Sequence, residues 1–190
     1  VDRSASLEMA LDIVYNAKVQ RPSVCNALDT VLVNSKIAKE YLPSIADRFA
    51  LAGVEMRCDS RAISILGPRE NVKIIQASEL DWDTEHLSLV AGVRVVDSIE
   101  DAITHIENHG TGHSEAIVTD DYSSANRFVD SVDASAVMVN ASTRFNDGGE
   151  FGLGAEVAIS TNKMHARGPM GLTELTSYKW IVFGNGQVRE

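Results

Sequence analysis

The sequence predicts an α/β fold, an open, mostly parallel sheet flanked by helices, and three observations lead there. From Leu87 onward, apolar stretches alternate with amphipathic ones: "LSLVAGVRVV", "SIEDAITHIENHG", "SEAIVTD", "YSSANRFVDSV" and "SAVMVN". Strands alternating with helices of that length argue for a parallel sheet with crossover helices. The 190 residues, 44% hydrophobic and 23% charged, suffice for one sizeable core. No internal repeat or low-complexity segment interrupts the pattern.

In chain order, "SLEMALDIVYNAK" carries Leu7, Ala10, Leu11 and Val14 at helical spacing. Ser6 is placed to cap this helix with Glu8 in its first turn, and Pro22 stops it. Val31 to Val33 reads as a short buried strand. A second helix follows, with Leu42, Ile45 and Phe49 on one face and Gly53 at its end. "VEMRC" and "AISIL" read as short strands, and no period emerges between Gly67 and Glu85. In the regular half, "SIEDAITHIENHG" turns Ile99, Ala102, Ile103 and Ile106 inward and ends before Gly110. The loop after Asn140, "ASTRFNDGGEFGLGAE", is long, polar and glycine-rich. It follows the carboxyl end of a strand, where parallel sheets hold ligands.

Charge and composition exclude several classes. Seventeen Lys and Arg against 27 Asp and Glu give a net charge of −10, with no basic face for a nucleic acid. The longest apolar stretches fall far short of the roughly 18 residues that a membrane span needs. Cys25 and Cys58 stand without a CxxC or a nearby His pair, so a metal site is not expected. Nothing signals secretion, which fits reduced thiols and a cytoplasmic location. The chain does not begin with Met, so more sequence is expected before Val1.

Cys25 sits in "QRPSVCNALDTVLV", between a proline-broken approach and an apolar run. Two readings stand side by side. A free Cys is often a small buried residue. If a helical turn begins near Ser23, however, Cys25 lies in its first turn, where unpaired N–H groups lower a thiol pKa and favour a nucleophile. The same groups would hold an oxyanion, and Asn26 would add an amide donor. Gly152, Gly154 and Val157 fill the G-x-G-x-x-G frame only in part, so a loop that lets a ligand approach the backbone is the better reading. His105, His109 and His113 lie near a helix end without an HExxH pattern, and a polar turn there is the default. Among Arg144, Lys163 and Arg167, Arg144 is the best placed for an anionic substrate group.

Long stretches now resemble a known family: "NAKVQRPSVCNALDTVLV", "VDSIEDAITHIENHGTGHSEAIVTD", "VMVNASTRFNDGGEFGLGAEVAIST" and "HARGPMGLTELTSYKW". Together they resemble the gamma-glutamyl phosphate reductase, or glutamate-5-semialdehyde dehydrogenase, family of the aldehyde dehydrogenase superfamily. That resemblance implies an aldehyde dehydrogenase-like catalytic domain, with Cys25 as nucleophile aided by Asn26. Arg144, Asn146 and Asp147 are then the expected substrate-binding residues, and Glu85 the contact to the nicotinamide ribose. Leu87 departs from the Phe usual in hydrolytic relatives.

The implied reaction is NADPH-dependent reduction of L-glutamate 5-phosphate to the semialdehyde in proline biosynthesis, through a cysteine thioester with release of phosphate. Family members are about twice this long, and their cofactor domain lies mostly before the cysteine. The resemblance thus divides the chain into 1–15, the tail of a missing cofactor-binding domain; 16–160, the catalytic domain; and 161–190, a return segment and oligomerisation strand. A fragment of this kind is expected to bind NADPH poorly and to have little activity alone, whereas the complete enzyme is expected to be a homo-oligomer. Two other readings remain: a superfamily enzyme for another acyl phosphate or semialdehyde, and a non-catalytic binding or assembly module.

Overall fold

A computed structural model describes residues 1–190. Local signals set the ends of most elements. The Ser6 hydroxyl accepts a hydrogen bond from the Met9 amide and starts α1 (Leu7–Val19). After β1 (Thr30–Asn34), α2 (Ala38–Ala52) buries Tyr41, Leu42, Ile45 and Phe49 and ends at Gly53. β2 (Glu55–Cys58), α3 (Ser60–Leu66), β3 (Ile74–Gln76), α4 (Glu79–Trp82) and β4 (Val90–Val96) complete the first half. The second holds α5 (Ile99–His109), β5 (Ser114–Ile117), α6 (Tyr122–Ser131), β6 (Ala136–Val139), β7 (Ala158–Ser160) and β8 (Gly168–Met170).

The structure is an α/β fold with a mostly parallel sheet, as the alternation predicts. The first four strands pair in the order β1-β4-β2-β3, all parallel. β5 and β6 form a second parallel pair, and β7 with β8 a short antiparallel one. Val1 joins the first two groups: its nitrogen donates to Leu32 O at 2.7 Å and its carbonyl accepts from Asn34 N at 3.0 Å. The next amide, Asp2 N, donates to Val118 O at 3.0 Å. Residues 1–2 thus bridge the edge of β1 to the end of β5.

Side-chain alternation gives each sheet face its own partners. Val31 and Val33 sit in register with Val93 and Val95. On that face they share one core with Ala10 and Val14 of α1, Phe49 of α2 and Leu66 of α3. Residues 1–15 are therefore packed into the main core. Arg94 turns to the other face, where its guanidinium meets the His105 ring of α5 at 3.0 Å and lies over Trp82. A second core joins Ile103 of α5 and Phe128 of α6 to Ile117 of β5.

Two expectations need correction here. "AISIL" is not a strand but most of α3. The Asp59 carboxylate accepts from Ala62 N at 2.7 Å as its N-cap, and Ala62 and Leu66, four apart, face the core. The span from Gly67 to Glu85, without a legible period, contains β3 and α4, the latter opened by a Ser78–Asp81 capping box. At the far end, residues 176–183 ("TSYKWIVF") carry no strand, and Trp180 and Phe183 are 86% and 95% exposed.

Candidate active site

Cys25 lies on a closed loop between α1 and β1. The loop is tied at its neck by Leu28 N donating to Ala17 O at 2.9 Å, and turned at its tip by Ala27 N donating to Val24 O at 3.0 Å. No helix begins at Ser23: residues 22–27 are turns and bends. Cys25 is exposed and Cys58 is buried in the main core, and both are free thiols. The small-buried-residue description therefore fits Cys58, whose thiol burial pushes up to about 12, and not Cys25.

Without a helix N-terminus the expected drop in the Cys25 pKa does not occur. Its pKa is raised, first by partial burial of the sulfur and then by the Glu156 and Glu85 carboxylates. Its own backbone N–H and Arg144 act in the opposite direction without prevailing. Cys25 and Glu85 line one cavity of about 200 Å³, which lies between β1 and β5 and also reaches Asp29, His113, Glu115 and Thr143.

Asn26 belongs to the frame around the thiol. It is buried, and its amide nitrogen donates to Asn146 O at 3.0 Å and Arg144 O at 3.4 Å. Its own carbonyl accepts from Thr143 Oγ1 at 2.7 Å. These bonds bolt the Cys25 loop to the segment after β6. Both protons of the side-chain amide are directed at the Asn146 and Arg144 carbonyls.

Asn146 is likewise internal, 0% exposed. Its amide donates to Ser114 Oγ at 2.9 Å, with His113 O and Ser135 Oγ at 3.3 and 3.4 Å. It clamps the start of β5 to the loop before β6. Asp147 uses one carboxylate oxygen locally, Oδ1 accepting from Gly149 N at 2.8 Å and Glu150 N at 3.3 Å. Glu156 accepts from Gly148 N at 2.7 Å and closes the glycine-rich loop. A Cβ on Gly148 would meet Ala155 O at 2.8 Å, so that closure requires glycine.

Arg144 keeps its free charge. Its Nε donates to Gln20 Oε1 at 2.7 Å, and no carboxylate lies within ion-pair distance. Its remaining donors suit a phosphate or carboxylate beside the thiol. Glu85 is exposed and lines the same cavity as Cys25, in a segment where Leu87 takes a left-handed φ of 48°.

Several site residues escaped the reading of the sequence. Burial pushes the Glu115 carboxyl up to about 7, helped by Asp29. Its signal was its parity with Ile117 in β5, a charge at an inward position. His113 bonds Ser114 Oγ through Nδ1 at 2.6 Å, while its Nε2 is buried without a partner and burial lowers its pKa. The His105 and His109 rings lie 4.6 Å apart, tilted by 42°, each held by another group, Arg94 and Asp83.

The model of the aldehyde dehydrogenase family matches residues 75–181. The gamma-glutamyl phosphate reductase of Dehalococcoides mccartyi is 58% identical over all of this chain, and that of Clostridium tetani 52%. The crystal structure of the Thermotoga maritima gamma-glutamyl phosphate reductase superposes on the whole chain with a TM-score of 0.92 at 50% identity, and 44% of that chain is covered. An acetylating aldehyde dehydrogenase from Geobacillus thermoglucosidasius shares the fold at 17% identity, with a TM-score of 0.69 over 98% of this chain and 50% of its own. The chain spans about 45% of the length of the curated relatives it matches.

Proposed function

The chain belongs to the aldehyde dehydrogenase family, and from that premise we propose that it is the cysteine-bearing part of a reductase for L-glutamate 5-phosphate. The product is L-glutamate 5-semialdehyde, on the route to proline, with inorganic phosphate released. The observation that carries this reading is Cys25: an exposed, unpaired thiol on a braced loop, opening into a cavity with Glu85 across from it and the uncompensated Arg144 beside it. Similarity to gamma-glutamyl phosphate reductases over the full chain supports the substrate assignment.

The proposed chemistry begins at the sulfur. The exposed Cys25 thiol loses its proton to solvent, and the thiolate attacks the acyl carbon of the acyl phosphate. The C–S bond forms as the C–O bond to phosphate breaks, leaving a thioester on Cys25. Arg144 offers a planar fork to the departing phosphate, and its charge favours the thiolate. Asn26 and Asn146 hold the loop and cavity wall in place while the substrate binds. Burial and two carboxylates raise the thiol pKa above its ordinary value, so thioester formation is expected to accelerate as pH rises.

Aldehyde dehydrogenases use NAD(P), and NADPH is the form proposed here. Glu85 fits such a cofactor: it is an exposed carboxylate on the cavity that holds Cys25, able to accept from ribose hydroxyls. When bound, the nicotinamide supplies the hydride that reduces the thioester. No helix is long and apolar enough to cross a membrane, and two free thiols suit the reducing cytoplasm proposed for the enzyme. The exposed 176–183 segment is the proposed contact of a homo-oligomer.

The experiment is direct. In the complete enzyme, Cys25→Ala abolishes phosphate-dependent reduction of NADP by the semialdehyde. Retained turnover in a folded variant rules out covalent catalysis by Cys25.

A further inference from the structure

Lys18 has no role in the chemistry above, yet it is a lysine with 0% exposure in the last turn of α1. Its Nζ donates to Val90 O at 2.8 Å and to Ser88 O at 3.1 Å. Those carbonyls belong to the segment that leads from Glu85 into β4. Asp29, eleven residues later, reaches the same segment: its Oδ1 accepts from His86 N at 3.2 Å. Lys18 and Asp29 act on each other electrostatically without forming an ion pair within 4 Å.

The placement of these two groups is informative. Leu28 N to Ala17 O closes the neck of the Cys25 loop, and Lys18 and Asp29 are the residues on either side of that neck. The two strands of the neck therefore grip the 86–90 backbone at three points. Between those points lies Leu87, held at a positive φ that a bulky side chain does not adopt freely. Burying an ammonium group costs solvation, and a methionine would fill the same space without that cost. The return on the charge is geometric: Cys25 and Glu85 hang from opposite sides of one hydrogen-bonded joint.

We infer that Lys18 and Asp29 are positioning residues that fix the Glu85-bearing segment opposite Cys25, setting where a dinucleotide's nicotinamide end meets the thiol. This rests on the proposed contact between Glu85 and the cofactor ribose. Neither residue touches the reacting atoms; both act through the backbone of 86–90.

The test uses the complete enzyme with Lys18→Met, Lys18→Arg and Asp29→Ala. Hydrogen exchange across 86–90 reads the joint, and KM for NADPH, kcat and the rate of Cys25 alkylation read its consequence. Lys18→Met is expected to lose protection at 86–90 and to raise KM for NADPH by roughly tenfold or more, with Cys25 alkylation within about twofold of the parent. Lys18→Arg is expected to restore part of both. If Lys18→Met does not fold, Asp29→Ala, which removes the acceptor for His86 N–H, is expected to move the same two quantities. Parent-like protection with an unchanged KM overturns the inference. So does an equal fall in kcat, alkylation and cofactor binding, which marks a merely structural role. An unchanged KM for NADPH in Glu85→Gln overturns the cofactor-contact reading alone, because exchange at 86–90 still reports the joint.

Discussion

At Cys25 the balance of local charges decides reactivity. The thiol sits between two carboxylates and one guanidinium, and partial burial tips the balance toward the protonated form. Alkylation of Cys25 in this chain should therefore inflect at a pH above that of a free cysteine. Glu156→Gln should move the inflection down and Arg144→Gln should move it up, measured as the pH dependence of iodoacetamide labelling. Glu115 makes a second titration visible. Its carboxyl lies at about 7 in the folded protein and near 4.3 unfolded. Between those values the native state binds the extra proton, so stability falls as pH rises from about 4.5 to 7 and then levels. A full shift of that size is worth at most ~4 kcal/mol, and Glu115→Gln should flatten that part of the stability–pH curve. Cys25 was legible in the sequence as a site residue, but its pKa was not. Pro22 and Ser23 look like a helix start, yet only a tight loop fits between Ala17 and Leu28, which are hydrogen-bonded to each other.

Among the elements, the periodic ones were readable and the short, capped ones were not. α1, α2, α5 and β4 carry their apolar residues at the spacing their geometry requires, so each stands where periodicity puts it. α3 misleads because Ala62, Ile63, Ile65 and Leu66 look like a strand by composition, whereas Asp59 and Gly67 mark the ends of a helix. Asp59 also accepts from Val95 N at 3.1 Å, so one carboxylate caps α3 and pins β4. Asp59→Ala should lower stability by about 1–3 kcal/mol in a denaturant titration. Arg144, Asn146 and Asp147 are adjacent in sequence and part company in structure. The first keeps free donors, the second is an internal clamp, and the third lends one carboxylate oxygen to the glycine-rich loop. Asn146→Ala should cost roughly 1–3 kcal/mol, because Ser114 and Ser135 lose a buried partner. It should also lower turnover in the complete enzyme, through a loosened start of β5 at Ser114, while the bond from the Asn26 side chain to Asn146 O is kept.

At the scale of the molecule, the site lies where the parallel sheet changes from one strand group to the next, between β1 and β5. Composition and alternation foretold the α/β class, but not the way residues 1–2 bridge the two groups. That join depends on three backbone hydrogen bonds that leave no mark on side-chain pattern. The residues that act together, Cys25, Glu85, Arg144 and Glu156, come from four separate stretches of chain, and only the fold reveals their shared charge balance. The central claim is that Cys25 carries the acyl group. Its most direct measurement is mass spectrometry of the complete enzyme after reaction with L-glutamate 5-semialdehyde and NADP in the absence of phosphate. The account predicts one glutamyl thioester per chain, mapped to Cys25, discharged by added phosphate and absent in Cys25→Ser. An adduct on another residue, or full labelling of Cys25→Ser, would contradict it.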